Sequence, residues 1–257
     1  MSEQISPKTV SIPHDGFLDL HSHLLPGIDD GCRTIEDSIR CVERLKSHGF
    51  VGTVCTPHYG VNDFPHNVPE QIVQFVAKLR EELAERDLEY QLWDGAEVRL
   101  HERTIAWFED HGIPTLGPGR CVLVDFWGDA WPACCDQVLD YLLDREFLPI
   151  LAHPERMNLP EVDLEHLLER LKEKGVWLQG NLNSVSGGEG RLARDRMVRW
   201  LDNDWYDYVA TDMHAPMHLD GRMNGIGVLE TIVGEDTKVQ MLGHRPREVL
   251  LHALKSS

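Results

Sequence analysis

Short apolar runs alternate with amphipathic stretches along most of this chain. That alternation is the mark of βα units and of a parallel sheet. Seven runs read as strands: 17–20, 51–55, 90–93, 121–124, 149–152, 176–179 and 208–210. Between them apolar residues recur at helical spacing. Thr34-Ile-Glu-Asp37 has the form of a capping box. Ile35, Ile39, Val42 and Leu45 continue it on one face, and Gly49 is the stop. Residues 69–86 start with proline in the first turn and carry a stripe of Ile72, Phe75, Val76, Leu79 and Leu83. Further helices are predicted over 136–145, 164–174 and 191–201, with Gly175 closing the second of these, and 223–233 and 245–254 read as helical or mixed. No linker, repeat or low-complexity block divides the chain. The expectation is a mobile leader over 1–14 and one domain over 15–257, a size that suits an α/β barrel.

The residues just past the strands carry the chemistry. The first strand runs into His21-x-His23 and then Asp29-Asp30. The second leads to Thr56-Pro-His58 and the third to Gly95-Ala-Glu97. The fourth ends in Asp125, the fifth in His153 and the seventh in Asp212-x-His214. In a barrel of βα units, residues at these positions converge on one face. A His-x-His on extended backbone points both imidazoles to the same side, and Asp212-x-His214 repeats that geometry. A His, Asp and Glu set without cysteine suits Zn²⁺, Mn²⁺ or Fe. One ion cannot use His21, His23, Asp30, His58, Glu97, Asp125, His153, Asp212 and His214 together, so two or three ions are expected.

Each residue has an ordinary reading as well. Asp29, Asp30 and Asp212 could cap helices, Glu97 and Asp125 could cap or pair, and His153 could be a core histidine. Their joint occurrence at successive strand ends weighs against coincidence. The remaining nine of the 14 histidines lack such placement and are read as structural or exposed. Arg156, three residues past His153, matches phosphate oxygens bidentately, with a pair to Glu155 or Glu161 as the alternative. Arg222, a loop beyond His214, is the second candidate for the same role.

Charge narrows the partners. With 25 Lys and Arg against 43 Asp and Glu, the net charge is −18, which argues against nucleic acid as a bulk partner. A single phosphorylated substrate remains open, because bound cations invert the local field. The six cysteines form no Cys-x-x-Cys pair and no disulfide framework is expected. No Cys-x5-Arg loop exists for a cysteinyl-phosphate route, and Gly187-Gly-Glu-Gly190 lacks the spacing of a nucleotide cradle. The first 13 residues hold no signal-peptide core, and no apolar run approaches a membrane span. A reducing cytoplasm is the expected compartment.

At these residues the chain resembles a known superfamily. Asp19-Leu-His-Ser-His-Leu-Leu-Pro-Gly-Ile-Asp-Asp-Gly31 is similar to the opening motif of the PHP (polymerase and histidinol phosphatase) superfamily. More narrowly, it resembles the CpsB/YwqE-type bacterial manganese-dependent protein-tyrosine phosphatases of capsule and exopolysaccharide operons. Thr56-Pro-His58, Gly95-Ala-Glu97, Ala152-His-Pro-Glu-Arg156, Gln179-x-Asn181-x-Asn-Ser184 and Thr211-Asp-x-His214 come in the family's order. The resemblance implies a distorted (β/α)7 TIM-like barrel with manganese, or else iron or zinc, in a trinuclear centre. His21, His23, Glu97 and Asp212 would hold one ion, and Glu97, Asp125 and His153 a second. Asp30, His58 and His214 would hold the third, and Arg156 would grip the phosphoryl group. Arg222 stands as the counterpart of the family's second phosphate-binding arginine. The implied reaction is in-line attack on phosphorus by a metal-bridging hydroxide, on phosphotyrosine of a protein such as a bacterial tyrosine kinase. Alternatives are a phosphatase of a small metabolite, such as histidinol phosphate or a nucleotide, and a non-catalytic regulatory partner of a polysaccharide-export kinase. Three departures stand out: Asp125 replaces the family's usual Glu, Tyr59 stands where a second His is common, and the segment after His214 differs.

Overall fold

All seven expected strands form, each within two residues of its predicted bounds. The computed structural model describes residues 12–60 and 63–252. The strands are β1 (Phe17–Asp19), β2 (Phe50–Cys55), β3 (His58–Tyr59), β4 (Gln91–Asp94), β5 (Glu97–Arg99), β6 (Cys121–Asp125), β7 (Leu148–Ala152), β8 (Trp177–Asn181) and β9 (Tyr208–Ala210). The helices are α1 (Ile35–Ser47), α2 (Pro69–Glu85), α3 (Thr104–His111), α4 (Ala133–Leu143), α5 (Glu161–Glu173), α6 (Leu182–Val185), α7 (Arg191–Asp202), α8 (Leu219–Val233), α9 (Glu235–Val239) and α10 (Arg245–Leu251). Sequence pattern misses β3 and β5, because two or three residues cannot show a period. It also misses α3, α6 and α9.

Local chemistry accounts for the elements that were expected. Thr34 caps α1 in a reciprocal capping box with Asp37. Pro69 opens α2, and Ile72, Val76, Leu79 and Leu83 are its buried stripe. Of the expected leader, residues 1–11 lie outside the described residues. Ile12 packs on the core, and Pro13 accepts a hydrogen bond at its carbonyl from Arg247 Nε at 2.7 Å, so these two are docked.

Every strand pairing is parallel. One sheet has the order β1-β2-β4, the other β3-β5-β6-β7-β8-β9. The expected barrel strands thus occur as two sheets. Backbone bonds beyond the strand ends join the sheets: His23 N to Met213 O at 2.7 Å and Asp212 N to His21 O at 2.8 Å, both between the end of β1 and the end of β9. Alternation along the strands sorts the core into two layers. Leu18, Leu20, Leu123, Ile150, Tyr208 and Ala210 meet in a small cluster drawn from both sheets. Val122, Val124, Leu151, Leu178 and Val209 turn the other way, into the larger core under the helices. Burial on both faces explains why β6 and β7 read as unbroken apolar runs.

Candidate metal centre

Parallel strands send their C-terminal ends the same way, and the nine expected donors sit there. His21 and His23 follow β1, and His153 follows β7. Asp212 and His214 follow β9. Asp125 ends β6, while His58 and Glu97 open β3 and β5 and are neighbours in register. Asp30 comes from the loop between β1 and α1. Four groups of donors lie close enough to hold an ion: His23, Asp30, His58 and His214; His21, His153 and Asp212; His21, His23 and Glu97; and Glu97, Asp125 and His153. Among the described residues, none of the other nine histidines joins such a group.

The distances fit a cation. His21 Nε2 and His23 Nε2 are 3.3 Å apart, and each lies 3.4 Å from Glu97 Oε2. Asp212 Oδ1 makes a second such triangle with the same two nitrogens, at 3.3 and 3.4 Å. A triangle of this size is the face of a tetrahedron with bonds of about 2.0–2.1 Å, the length zinc and similar ions take to nitrogen and oxygen. Glu97 reaches both ways: its Oε1 is 2.9 Å from His153 Nε2, and its Oε2 is 2.9 Å from His58 Nδ1. Asp30 Oδ1 lies 3.4 Å from His58 Nε2 and 3.5 Å from His214 Nε2. Asp125 Oδ1 is 3.8 Å from His153 Nδ1.

Residues behind the donors orient them. His21 Nδ1 donates to Gln179 Oε1 at 2.9 Å, His23 Nδ1 to Asp29 Oδ2 at 2.8 Å, and His214 Nδ1 to the Asp212 carbonyl at 2.9 Å. With a proton kept on each Nδ1, it is Nε2 that would be free to ligate an ion in the cluster, the arrangement metal-ligating histidines favour. Asp29 also accepts from Gly31 N and His58 N, so one carboxylate fixes three parts of the site. A Cβ at Gly31 would fall 2.2 Å from the His23 carbonyl, which is why this loop needs glycine. Asn181 Nδ2 donates to Asp212 Oδ2 at 2.9 Å, leaving Oδ1 to face the imidazoles. His153 (φ 31°) and Asp212 (φ 49°) are both left-handed. Non-glycine residues hold that conformation only where surroundings enforce it. Here their amides are anchored to Gln179 O and His21 O.

The cluster's charges are interlocked. Burial by itself would raise the Glu97 carboxyl. The charge of His21 and hydrogen bonds from His153, His21 and His23 hold it well below the usual range instead. Asp212 is held low in the same way, mainly by His21 and His23. Burial opposes charge on His58, yet its bonds to Asp30 and Glu97 raise it to about 10. Burial and Arg156 oppose charge on His153, yet Asp125 and Glu97 raise it to about 9. Asp125 itself is raised, by burial and by Glu97.

Both histidine values exceed the unfolded value near 6.5. The metal-free fold therefore gains stability that is full below pH 6.5 and is lost as pH rises through 9 and 10. Metal ligation needs neutral imidazole, so loading at pH 7 expels these protons. Calorimetric titration with Mn²⁺ in buffers of different ionisation heat is expected to show at least two protons released at pH 7. Apparent affinity should climb with pH up to about 10. Binding with no proton release would contradict this linkage.

The arginines divide by role. Arg156 ends a 3₁₀ turn, Pro154–Arg156, and its half-exposed guanidinium bonds Asp212 Oδ2 at 2.8 Å. With Asp125 and His153 it lines a pocket of about 340 Å³ over the cluster. The ion pair with Glu155 or Glu161 considered from sequence does not form. Glu155 is buried and accepts from Asn181 N and Tyr206 Oη, and Glu161 pairs with Arg196 and Arg199. Arg222 is buried in α8, and its Nε bonds the carbonyls of Thr211 and Asp212 at 2.8 and 2.9 Å. It fastens the Asp212 turn. Arg196 escapes sequence reading: its guanidinium bonds the carbonyls of Glu155, Met157 and Leu159 and so fixes the loop bearing Arg156. The available signal is a charge on the buried stripe of α7, between Ala193, Met197 and Trp200. Tyr59, where a second family histidine is common, is buried and bonds Gly112 O, away from the donors.

Parallel sheets bearing a buried, carboxylate-bridged histidine cluster past their strand ends define an α/β metallohydrolase. The chain belongs to the capsular polysaccharide synthesis family CpsB/CapC, whose profile matches residues 17–251. Tyrosine-protein phosphatase YwqE of Bacillus subtilis is 27% identical over 198 residues, covering 77% of each chain. Tyrosine-protein phosphatase CpsB of Streptococcus pneumoniae is 25% identical over 249 residues, covering 93% of this chain and 100% of that one. Among solved structures, a chain from those of YwqE of B. subtilis and CpsB of S. pneumoniae, described as unique metal-dependent tyrosine phosphatases, superposes with a TM-score of 0.82. It is 25% identical and covers 92% of this chain and 95% of that chain.

Proposed function

We propose that this chain is a metal-dependent protein-tyrosine phosphatase, acting on phosphotyrosine of a protein such as a capsule-regulating bacterial tyrosine kinase. The carrying observation is the pair of donor triangles, 3.3–3.4 Å on edge, beneath a pocket lined by Arg156. We assign the ligands as His21, His23, Glu97 and Asp212 for one ion, Glu97, Asp125 and His153 for a second, and Asp30, His58 and His214 for a third. Manganese is the favoured metal on the family likeness, with iron or zinc also suited to these donors. Bound cations supply a lowered water pKa and neutralise phosphoryl charge.

The chain's own residues do the rest. Gln179 and Asp29 hold two imidazoles in the ligating tautomer, and Asn181 and Arg222 hold Asp212. Arg156 presents its fork to the equatorial phosphoryl oxygens and stabilises the charge they gain. Tyrosinate leaves with a pKa near 10, so protonation of the leaving oxygen matters less than for an alkyl ester. We read the two sheets as parts of one distorted (β/α)7 barrel in a single domain over 15–257, a reading supported by the backbone bonds that join them. A reducing cytoplasm suits its six free thiols.

A substrate panel tests the proposal. Phosphotyrosine peptides, histidinol phosphate and nucleoside monophosphates would be assayed with Mn²⁺, Fe²⁺ or Zn²⁺ and again with EDTA. The peptide is expected to exceed the small esters at least about tenfold in kcat/KM, with EDTA removing activity. Faster turnover of a small ester would move the assignment to a metabolite phosphatase. Manganese binding with no hydrolysis of any ester would make the protein a regulatory partner.

A further inference from the structure

Trp127 is the one Phe, Tyr or Trp exposed among the described residues, at 54%. Apolar side chains exposed singly are ordinary on a protein surface, so it is the position of this one and its contacts that carry weight. Its place is two residues past β6, at the edge of the metal cluster. The ring is held from several sides. Nε1 donates to Asp125, the Arg99 guanidinium lies 4.7 Å from the ring centre, and His58 meets it edge-on at 5.6 Å. It lines the pocket that holds Arg156 and His153. It also lines a small adjoining niche with His58, Phe64 and Arg99.

We propose that Trp127 is the platform for the substrate's aromatic ring and so sets preference for aryl over alkyl phosphate esters. This rests on the phosphatase reading. In an aryl phosphate the ring begins one bond from the bridging oxygen. A phosphoryl group gripped by Arg156 therefore puts its ring against the pocket wall that Trp127 forms. Aromatic rings attract one another in offset or edge geometry, and an alkyl chain has no such face. The platform is already fixed by Asp125 and Arg99, so little side-chain freedom is lost when substrate covers it.

A second role is built into the same contact: Trp127 also holds the carboxylate of Asp125, a proposed ligand. The test therefore separates ring from donor. Trp127→Phe keeps an aromatic face and removes Nε1–H; Trp127→Ala removes both. The readouts are kcat/KM for phenyl phosphate against glycerol phosphate, and the Kd of phenylphosphonate against methylphosphonate. Trp127→Ala is expected to cut the aryl-to-alkyl ratio about tenfold in both measures, chiefly through KM. Trp127→Phe should hold that ratio within about threefold, whatever it does to overall rate. If both variants lower aryl and alkyl esters in parallel, the residue acts only through Asp125 and the platform is overturned. If the wild type, loaded with metal, turns over no aryl phosphate and binds neither phosphonate, the phosphatase reading falls and this proposal falls with it.

Discussion

Glu97→Gln is expected to lower kcat/KM by about 10³-fold or more and to reduce bound metal by at least one ion per chain. The substitution keeps volume and hydrogen-bonding shape, so it isolates the charge. Glu97 is 1% exposed and touches four imidazoles: His21, His23 and His58 through Oε2 and His153 through Oε1. No other carboxylate among the described residues appears in two donor groups. Residues that only orient a ligand typically cost 10–100-fold when changed. A bridging ligand should exceed that, because both of its ions lose a negative donor. The same change removes one cause that raises His58 and His153, so both should titrate lower in the metal-free variant. Metal content by mass spectrometry, with activity on an aryl phosphate, checks the prediction. Activity within tenfold of wild type would show that Glu97 is not the bridge.

Arg156→Ala should be nearly as damaging to rate but opposite in its effect on metal. Loss of a charge-stabilising donor in phosphoryl or acyl transfer costs on the order of 10²–10³ in kcat. Arginines that act without such dense metal support are worth up to about 10⁵. The lower range is expected here because cations would share the phosphoryl charge. Arg156 Nη1 is bonded to Asp212 Oδ2, so removing it relieves a competitor for that carboxylate. Metal content should hold or rise. Arg156→Lys should recover only part of the rate, since an ammonium cannot make the bidentate contact. Parallel loss of metal and activity in Arg156→Ala would mark it as a structural residue instead.

These two residues differ in how far the sequence specifies them. The chain order of His21, His23, His58, Glu97, Asp125, His153, Asp212 and His214 against the apolar runs predicts that they meet, because parallel strands align their ends. Arg156 is placed by its distance from His153, but its actual partner is not. Sequence offers a phosphate group, or else Glu155 or Glu161, and the fold pairs it with Asp212, 56 positions away. Arg222 reads from sequence as a phosphate ligand, and the fold uses it to brace the turn that Asp212 makes.

Pattern along the chain thus determined the seven longer strands and the main helices, the parallel arrangement and the face on which the donors gather. All of these come from backbone period and chain direction, which are local. Tertiary structure alone decided the rest. It split the strands into two sheets and brought Asp19 to Thr211 across 192 positions. It put Gln179 behind His21 and Asn181 behind Asp212, set Arg196 under the Arg156 loop and left Trp127 at the pocket's mouth. Those contacts join residues whose nearness depends on which strand ends meet in space, and no periodicity within either segment encodes that.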